Sequence, residues 1–264
     1  MEKDNTKYYM YFWAGHFLYL GPIIDNCEHM HHALQVIVNR DGLFRLRIGE
    51  TSIECGGVVI SPDRPHQLLS TSDTQVHLFI DREAAVAGAI AQRHLGDGHV
   101  KILDGALLKR LRGCLDVPGN FLGSCGQANA VYRKLVTELG GYAEHTEVTV
   151  DPRIEAAVQL IKEKHLTRKV SLAELARHAC LSESHLGHMF VEQIGIPPRR
   201  YALWRRLMTA FQFAVQGKSL TESAHSAGFS DSAHLSRTYK RMYGISFSAC
   251  IKNHGSIQVF SCLS

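Results

Sequence analysis

The sequence has no apolar run approaching the ~20 residues that a membrane-crossing helix needs. Its first residues, Met1-Glu2-Lys3-Asp4-Asn5, are polar and mixed in charge, and no small-residue cleavage site follows an apolar core. No secretory leader and no membrane partner are therefore expected, and the reading is of a cytoplasmic protein. There is no Cys-x-x-Cys pair among the seven cysteines at 27, 55, 114, 125, 180, 250 and 262. An odd number so spaced argues against a zinc finger and against a disulfide framework, which leaves mostly reduced, partly buried thiols as the expectation. A serine nucleophile elbow, a phosphate-cradling glycine loop and a His-Glu-x-x-His motif are all missing, so three common kinds of enzyme have no support. With 22 glycines and 7 prolines, the chain also lacks a collagen-like or low-complexity stretch.

What is present is ordinary in sum and uneven in distribution. The 264 residues suit two domains, and 45% apolar with 20% charged residues is a globular composition. Residues 1–150 hold 14 Lys and Arg against 17 Asp and Glu, a balance of −3; residues 151–264 hold 15 against 8, a balance of +7. The net +4 hides this split. A mildly acidic front and a basic rear make nucleic acid or a membrane surface the candidate partners of the rear.

Up to about residue 80 the pattern is strand-like. Leu43-Phe44-Arg45-Leu46-Arg47-Ile48 alternates apolar with basic residues after the turn Asn39-Arg40-Asp41-Gly42, while Leu34 to Val38, Val58-Val59-Ile60 and Val76 to Ile80 are short apolar runs. Several short strands between turn residues predict a small antiparallel barrel or sandwich. From residue 82 the period becomes helical over Ala84–Arg93, Leu107–Leu115 and Gln127–His145, and in the last of these Val131, Leu135, Val136, Leu139 and Tyr142 form one stripe. The stripe either packs against the barrel or pairs with its copy in a homodimer. Between Glu144 and Pro152 the chain turns polar and β-branched, a long helical pattern begins at Asp151-Pro152, and the charge changes sign. The expected division is 1–148, 149–254 and a tail, 255–264.

The rear part repeats itself. Ser171-Leu-Ala-Glu-Leu-Ala and Ser219-Leu-Thr-Glu-Ser-Ala each open with Ser-x-x-Glu, the capping box that starts a helix. Leu181-Ser182 then matches Phe229-Ser230, Phe190 matches Tyr239, and Gly195-Ile196 matches Gly244-Ile245, with one extra residue entering the second copy. Each copy, about 171–193 and 219–243, reads as a short helix, a turn of three or four residues and a second helix opening at a serine. Leu186, Met189 and Phe190, and in the second copy Leu235, Tyr239 and Met242, fall on the apolar face of the second helix. The opposite face carries Ser184, His185, Gly187 and His188, then Ser232, Ala233, His234 and Arg237. This is the helix-turn-helix arrangement, whose second helix enters the DNA major groove. Pro197 to Gln216 reads as one helix joining the copies and contains Arg199, Arg200, Arg205 and Arg206. At ~1.5 Å per residue it spans ~28 Å, close to the ~34 Å between successive major grooves.

Residues 153–250 resemble the DNA-binding domain of the AraC/XylS transcriptional regulators. The carrying motifs are Ser171-Leu172-x-x-Leu175-Ala176, Leu181-Ser182-x-x-x-Leu186-x-x-x-Phe190, Arg206-Leu207-x-x-Ala210, Ala224-x-x-x-Gly228-Phe229-Ser230-Asp231 and Ser236-Arg237-x-Tyr239-Lys240-x-x-x-Gly244. The resemblance implies an α+β chain with a cupin-like β-barrel and flanking helices in front and an all-α domain of two helix-turn-helix units behind. It places Ser184, Gly187, His188, Ser232, Ala233, His234 and Arg237 at base-facing positions, with His185, Arg199, Arg200, Arg206 and Lys240 completing the DNA-binding set. It further implies a bacterial regulator, such as an activator, that binds double-stranded promoter DNA, answers to a small-molecule effector and works with RNA polymerase. The sequence departs from the family at Ser223, where an aliphatic residue is usual, and after Gly244, where Phe247 and Cys250-Ile251 replace a proline and a Tyr-Arg pair.

In the front part, His29-Met30-His31 with Gln35 four residues on and a distant His66 resembles the metal motif of cupin barrels, with Gln35 in place of the usual glutamate. These four residues and His77 are the candidate effector pocket. No cofactor is expected on family grounds; the alternative is Fe, Mn, Ni or Zn on His29, His31, Gln35 and His66, since neutral imidazole suits all of these. Two functions compete: a regulator with a sensing barrel and no enzymatic activity, or a metal-dependent cupin enzyme, a dioxygenase or isomerase, fused to a DNA-binding domain.

Overall fold

The computed structural model describes residues 8–13, 16–22, 27–69, 74–116, 123–141, 150–164, 170–194, 196–243, 247–248 and 257–262. The chain divides into two compact units, one of residues 1–146 with 241–245 and 252–264, the other of 147–240 with 246–251. The expected boundary at 148/149 lies outside the described residues.

In the first unit, strands β1 (Tyr8–Trp13), β2 (His16–Pro22), β3 (Ala33–Asn39), β6 (Gly57–Ile60), β8 (Thr74–Asp81), β9 (Val100–Ile102) and β10 (Ile257–Ser261) form one sheet in the order β10-β1-β2-β8-β3-β6-β9. Strands β4 (Phe44–Ile48), β5 (Thr51–Cys55) and β7 (Gln67–Leu69) form a second, in the order β5-β4-β7. The expected cupin-like closed barrel is thus corrected to two sheets. Closure needs the two edges of a sheet to bond each other, and here one edge strand is β10 and the other β9.

The strand period of two sorts the residues of this sheet onto two faces. Leu34, Val36 and Val38 of β3 with Val76, Leu78 and Ile80 of β8 share one apolar core with residues of the helices α1 (Ala85–His94), α2 (Gly105–Cys114) and α3 (Cys125–Glu138). Ile37, Val58 and Ile60 turn to the other face and meet Phe44, Leu46 and Leu68 of the smaller sheet. Gln35 is paired with Phe79, Ile37 with His77 and Asn39 with Gln75, so these polar and aromatic side chains share that second face.

Helix α3 ends earlier than its apolar stripe suggests. Gly140 adopts φ +78 and the Gly141 amide donates to the Val136 carbonyl at 2.8 Å, a glycine stop of the kind that satisfies the last helical carbonyls. Tyr142 and His145 lie outside the described residues. Val131, Leu135, Val136 and Leu139 are at most 4% exposed and belong to the core of this unit, so the stripe is not the face on which a second subunit docks.

The tail is not an appendage. Residues 257–261 pair in parallel with β1, from Tyr8↔Ile257 to Phe12↔Ser261, and Phe260 stacks on Tyr11 with ring centroids 4.8 Å apart. Cys262 then forms a disulfide with Cys125 at the start of α3, which corrects the expectation of reduced thiols for these two. Spacing concealed the pair because 137 residues separate its members.

In the second unit, α4 (Pro152–Lys164) packs on α5 (Leu172–His178), α6 (Glu183–Ile194) and α7 (Pro198–Val215), and α7 also meets α8 (Leu220–Ser226), which is followed by α9 (Ser232–Tyr243). The repeat seen in the sequence is also a repeat of backbone bonds. The Leu181 amide donates to Ala176 O and the Phe229 amide to Ala224 O, each at 2.9 Å, which closes the first helix of each copy in the same way. The residue that must turn left-handed is Cys180 (φ 53) in one copy and Gly228 (φ 78) in the other. A side chain there strains the backbone by ~1–2 kcal/mol, which glycine avoids. Replacing Gly228 with Ala is expected to lower the stability of this unit by ~1 kcal/mol, and Cys180→Gly to raise it by a fraction of that. Denaturant unfolding checks both; an unchanged midpoint for Gly228→Ala would remove the left-handed turn from the account.

Candidate nucleic-acid interface and buried histidine site

Each helix-turn-helix copy is held at its starts by side-chain caps. Ser171 Oγ accepts from the Glu174 amide at 3.1 Å; Ser219 Oγ accepts from the Glu222 amide at 3.2 Å while the Glu222 carboxylate accepts from the Ser219 amide at 2.9 Å. Helix α6 opens on Ser182, whose Oγ accepts from the His185 amide at 3.2 Å. Helix α9 does not open on a serine: Asp231 Oδ1 takes the equivalent bond, from the His234 amide at 2.7 Å, so the residue gained by the second copy moves the cap by one. That bond, with the one from Ser230, holds the Asp231 carboxyl below its usual range.

Leu186, Phe190 and Ile194 bury the inner face of α6, and Leu235, Thr238 and Tyr239 that of α9. Met189 and Met242 are half-buried at the edges of these faces. Outward on α6 lie Ser184, His185 and His188, with half-buried Gly187 between them; on α9 Ala233, Arg237, Lys240 and Arg241 are exposed, with half-buried Ser232 and His234 beside them. His188 bonds through Nδ1 to the Ser184 carbonyl at 2.8 Å, so its ring lies along its own helix. His234 is held by Ser230 Oγ at 3.2 Å and sits edge-on to Phe229. A Cβ added at Gly187 would meet nothing within 4 Å. No contact among the described residues requires glycine there, and its absent side chain leaves the middle of the face bare.

Arg199 and Arg200 on α7 are exposed, but Arg206 is only 9% exposed and burial lowers its pKa. Arg206 therefore leaves the set of expected phosphate-contacting residues. Its helix packs against α4, α6 and α8 at once, so a residue off the main apolar stripe is still covered. Ser223, in an aliphatic position, is fully buried, and its hydroxyl donates to the Lys218 carbonyl at 3.5 Å. Phe247 is buried edge-on to Tyr239 at 4.9 Å.

In the first unit all five predicted pocket residues are brought into one buried cluster. His29 and His66 exchange backbone hydrogen bonds of 3.0 and 2.9 Å, and their ring centroids lie 4.4 Å apart. His31 is 5.9 Å from His29 and 5.3 Å from His66 by ring centroids. Its Nε2 lies 3.0 Å from Gln35 Oε1, and Gln35 Nε2 lies 3.2 Å from His77 Nδ1. The line continues from His77 Nε2 to Gln75 Oε1 at 3.0 Å. Gln75 was missed by sequence reasoning, as were Tyr19 and Phe79, which pack edge-on to His77 and His31 respectively. The available signal was the Gln75-x-His77-x-Phe79 alternation inside an apolar run. Burial pushes His29 and His77 down to about 3 and lowers His31 and His66 as well. On the helical face, His16 stacks on Tyr132 and burial pushes it to about 4.

Residues 175–253 match the model of a helix-turn-helix domain family. The chain is 40% identical over 85 residues to the probable transcriptional regulator LumQ of Photobacterium leiognathi, covering 32% of this chain and 34% of that protein. It is 26% identical over 119 residues to the arabinose operon regulatory protein of Escherichia coli (strain K12), covering 45% of this chain and 41% of that protein. Residues 175–253 thus carry a helix-turn-helix domain, and the chain is similar in this part to proteins named as transcriptional regulators. The chain spans about a third of the length of the first curated relatives it matches, which are covered to 34% and 29%. In fold it is similar to ToxT from Vibrio cholerae, with a TM-score of 0.57 at 10% identity over 90% of this chain and 98% of that one. An unsaturated fatty acid bound ToxT gives a TM-score of 0.58 at 11% identity over 90% of this chain and 95% of that one. Among the described residues, no helix is long and apolar enough to cross a membrane.

The depressed histidines fix the sign of the acid response. Their folded-state values lie below the ~6.5 of an unfolded histidine, so below that pH the unfolded chain binds more protons and stability falls. The first unit is expected to lose up to ~1.4 kcal/mol per pH unit for each such histidine as pH drops from ~6.5 towards 4, and to be insensitive to them above 7. Guanidinium unfolding at pH 7.5, 6 and 5 tests this; equal stabilities at all three would refute the burial of neutral rings. For the arginines, Arg206→Ala is expected to cost stability by about 1–3 kcal/mol and leave the salt dependence of DNA binding unchanged. Arg199→Gln is expected to reduce that salt slope by about 1 with the fold intact. The opposite pattern in the two variants would restore Arg206 to the DNA face.

Proposed function

We propose that this chain is a transcription regulator of the AraC/XylS family whose second unit binds promoter DNA and whose first unit senses a small effector. The observation that carries the reading is the doubled helix-turn-helix, with the same closing bond at 2.9 Å in both copies and an outward polar face on each second helix. Helix α7, 18 residues long, lies between the copies in sequence and spans ~27 Å. That length suits two reading helices placed in successive major grooves of one duplex, ~34 Å apart. Ser184, His185, Gly187, His188, Ser232, Ala233, His234 and Arg237 then face bases or groove walls, and Arg199, Arg200 and Lys240 face phosphates. Small side chains on α6 shift the affinity towards phosphate contacts and DNA shape rather than direct base readout.

The sensing role is supported by the buried histidine cluster and by the likeness in fold to ToxT, which is described with an unsaturated fatty acid bound. The effector binds one state of the first unit more tightly and so shifts the population that engages DNA. The regulator acts in the cytoplasm and works on RNA polymerase at the promoter, in keeping with its family. No catalytic step is assigned to it, in keeping with relatives named as regulators. Any self-association uses a surface other than the buried stripe of α3.

Genomic footprinting supplies the target sites, and fluorescence anisotropy on one of them tests the reading. Arg237→Ala is expected to weaken specific binding by ~1–3 kcal/mol and to relax preference at one base position. Equal weakening on specific and random duplexes would make Arg237 a phosphate contact, and absence of any DNA binding by the full chain would overturn the proposal.

A further inference from the structure

The buried cluster of the first unit holds a feature that effector sensing alone does not explain. Each of His29, His31 and His66 spends its Nδ1 on a backbone carbonyl: Cys27 O at 3.0 Å, Ala33 O at 3.1 Å and Arg64 O at 2.8 Å. A carbonyl only accepts, so in neutral His29 and His66 Nδ1 carries the proton and Nε2 keeps a lone pair, whereas His31 meets an acceptor at each nitrogen, Ala33 O and Gln35 Oε1, and donates to one of them at a time. The lone pairs of His29 and His66 are thereby brought beside the His31 ring in an interior where every unpaired polar atom is costly. His66 Nε2 is fully buried without a hydrogen-bond partner, in a residue 1% exposed. One ring nitrogen from each of the three histidines lies within 4.8 Å of the others.

We propose that His29, His31 and His66 bind a divalent first-row transition-metal ion through Nε2, with Gln35 Oε1 as an adjoining oxygen ligand. Imidazole nitrogens with one amide oxygen suit Zn, Fe, Co or Ni and do not suit the hard ions Ca and Mg, which take oxygen ligands. Three histidines on one ion at ~2.1 Å with an open position is a known catalytic and binding geometry for zinc. Nitrogens at that radius lie ~3.4 Å apart in a tetrahedron, so binding draws the rings inward by about an ångström. The 3.0 Å between His31 Nε2 and Gln35 Oε1 already matches the spacing of neighbouring ligands on one ion. The backbone carbonyls on Nδ1 are the outer supports that commonly fix the orientation of metal-bound histidines. The reciprocal backbone bridge between His29 and His66 holds two of the three ligands in register before any ion arrives. The site names the ligand of the sensing unit; its regulatory meaning rests on the regulator reading, while the binding itself does not.

The test uses the full chain, stripped with a chelator, incubated with Zn(II) or Co(II) alone, desalted and assayed for metal by mass spectrometry. About one equivalent is expected to be retained, with visible absorption bands in the Co(II) form. His66→Gln and His29→Gln are each expected to lower retention at least ~10-fold. His225→Gln, on an exposed position of α8, is expected to leave retention unchanged. Because a histidine variant can fail by misfolding, Gln35→Glu supplies the opposite sign: a carboxylate in place of the amide is expected to tighten Co(II) binding about tenfold or more. Wild-type protein that emerges without metal, folded His66→Gln that retains it fully, or Gln35→Glu without effect would each overturn the proposal. DNA binding measured in parallel separates the two readings, since metal retention without DNA binding defeats only the regulator, and DNA binding without metal retention defeats only the site.

Discussion

Because β3 and β8 are buried along nearly their whole length on both faces, each polar side chain they carry must find its partner inside the protein. One face of these strands solves the problem by having no polar groups: Leu34, Val36, Val38, Val76, Leu78 and Ile80 go to the helical core. The other face carries Gln35, Gln75 and His77, which bond one another and His31 in a line that leaves the Gln75 amide nitrogen without a partner among the described residues. Everything distinctive about the first unit follows from that division. The line of side chains fixes where His31 stands, the backbone bridge fixes His29 and His66 beside it, and burial keeps the rings neutral.

The parts of the fold that were legible in the sequence are those set by neighbours along the chain. The two helix-turn-helix units were visible because caps, turn residues and apolar spacing all fall within about 25 residues of one another, and local signals of this kind agree or fail together. The alternation in Phe44-Arg45-Leu46-Arg47 likewise announced a half-buried strand, and both arginines are in fact exposed. The histidine cluster was partly legible, since His29-x-His31 and Gln35 are close in sequence and His66 follows a proline-rich turn. What was hidden depends on residues that meet from far apart. The edge strand β10, the disulfide from Cys125 to Cys262 and the open sheet are products of pairing across more than a hundred residues, which no periodicity records. Arg206 misled for a related reason: a basic residue on a helix reads as solvated, and only the presence of neighbours on several sides of α7 covers it.

The two copies of the repeat have kept one backbone and diverged in how they sustain it. One turns left-handed on Cys180 and the other on Gly228; one opens its second helix on Ser182 and the other on Asp231. The first buries Leu175 where the second buries Ser223 and satisfies the hydroxyl with a carbonyl. Their outward faces differ in the same degree. Helix α6 presents Ser184, His185 and His188 around a bare glycine, whereas α9 presents Arg237 and Lys240, so the second outward face carries the positive charge.

The strand β10 also changes what counts as a domain in this chain. Its pairing with β1, together with the disulfide, makes the first unit discontinuous: residues on both sides of the helix-turn-helix segment belong to a single sheet. In chain order the helix-turn-helix segment is an insertion between two stretches of one sheet, rather than a module hung from one linker. No single cut of the chain can release it while leaving the sheet and its disulfide whole.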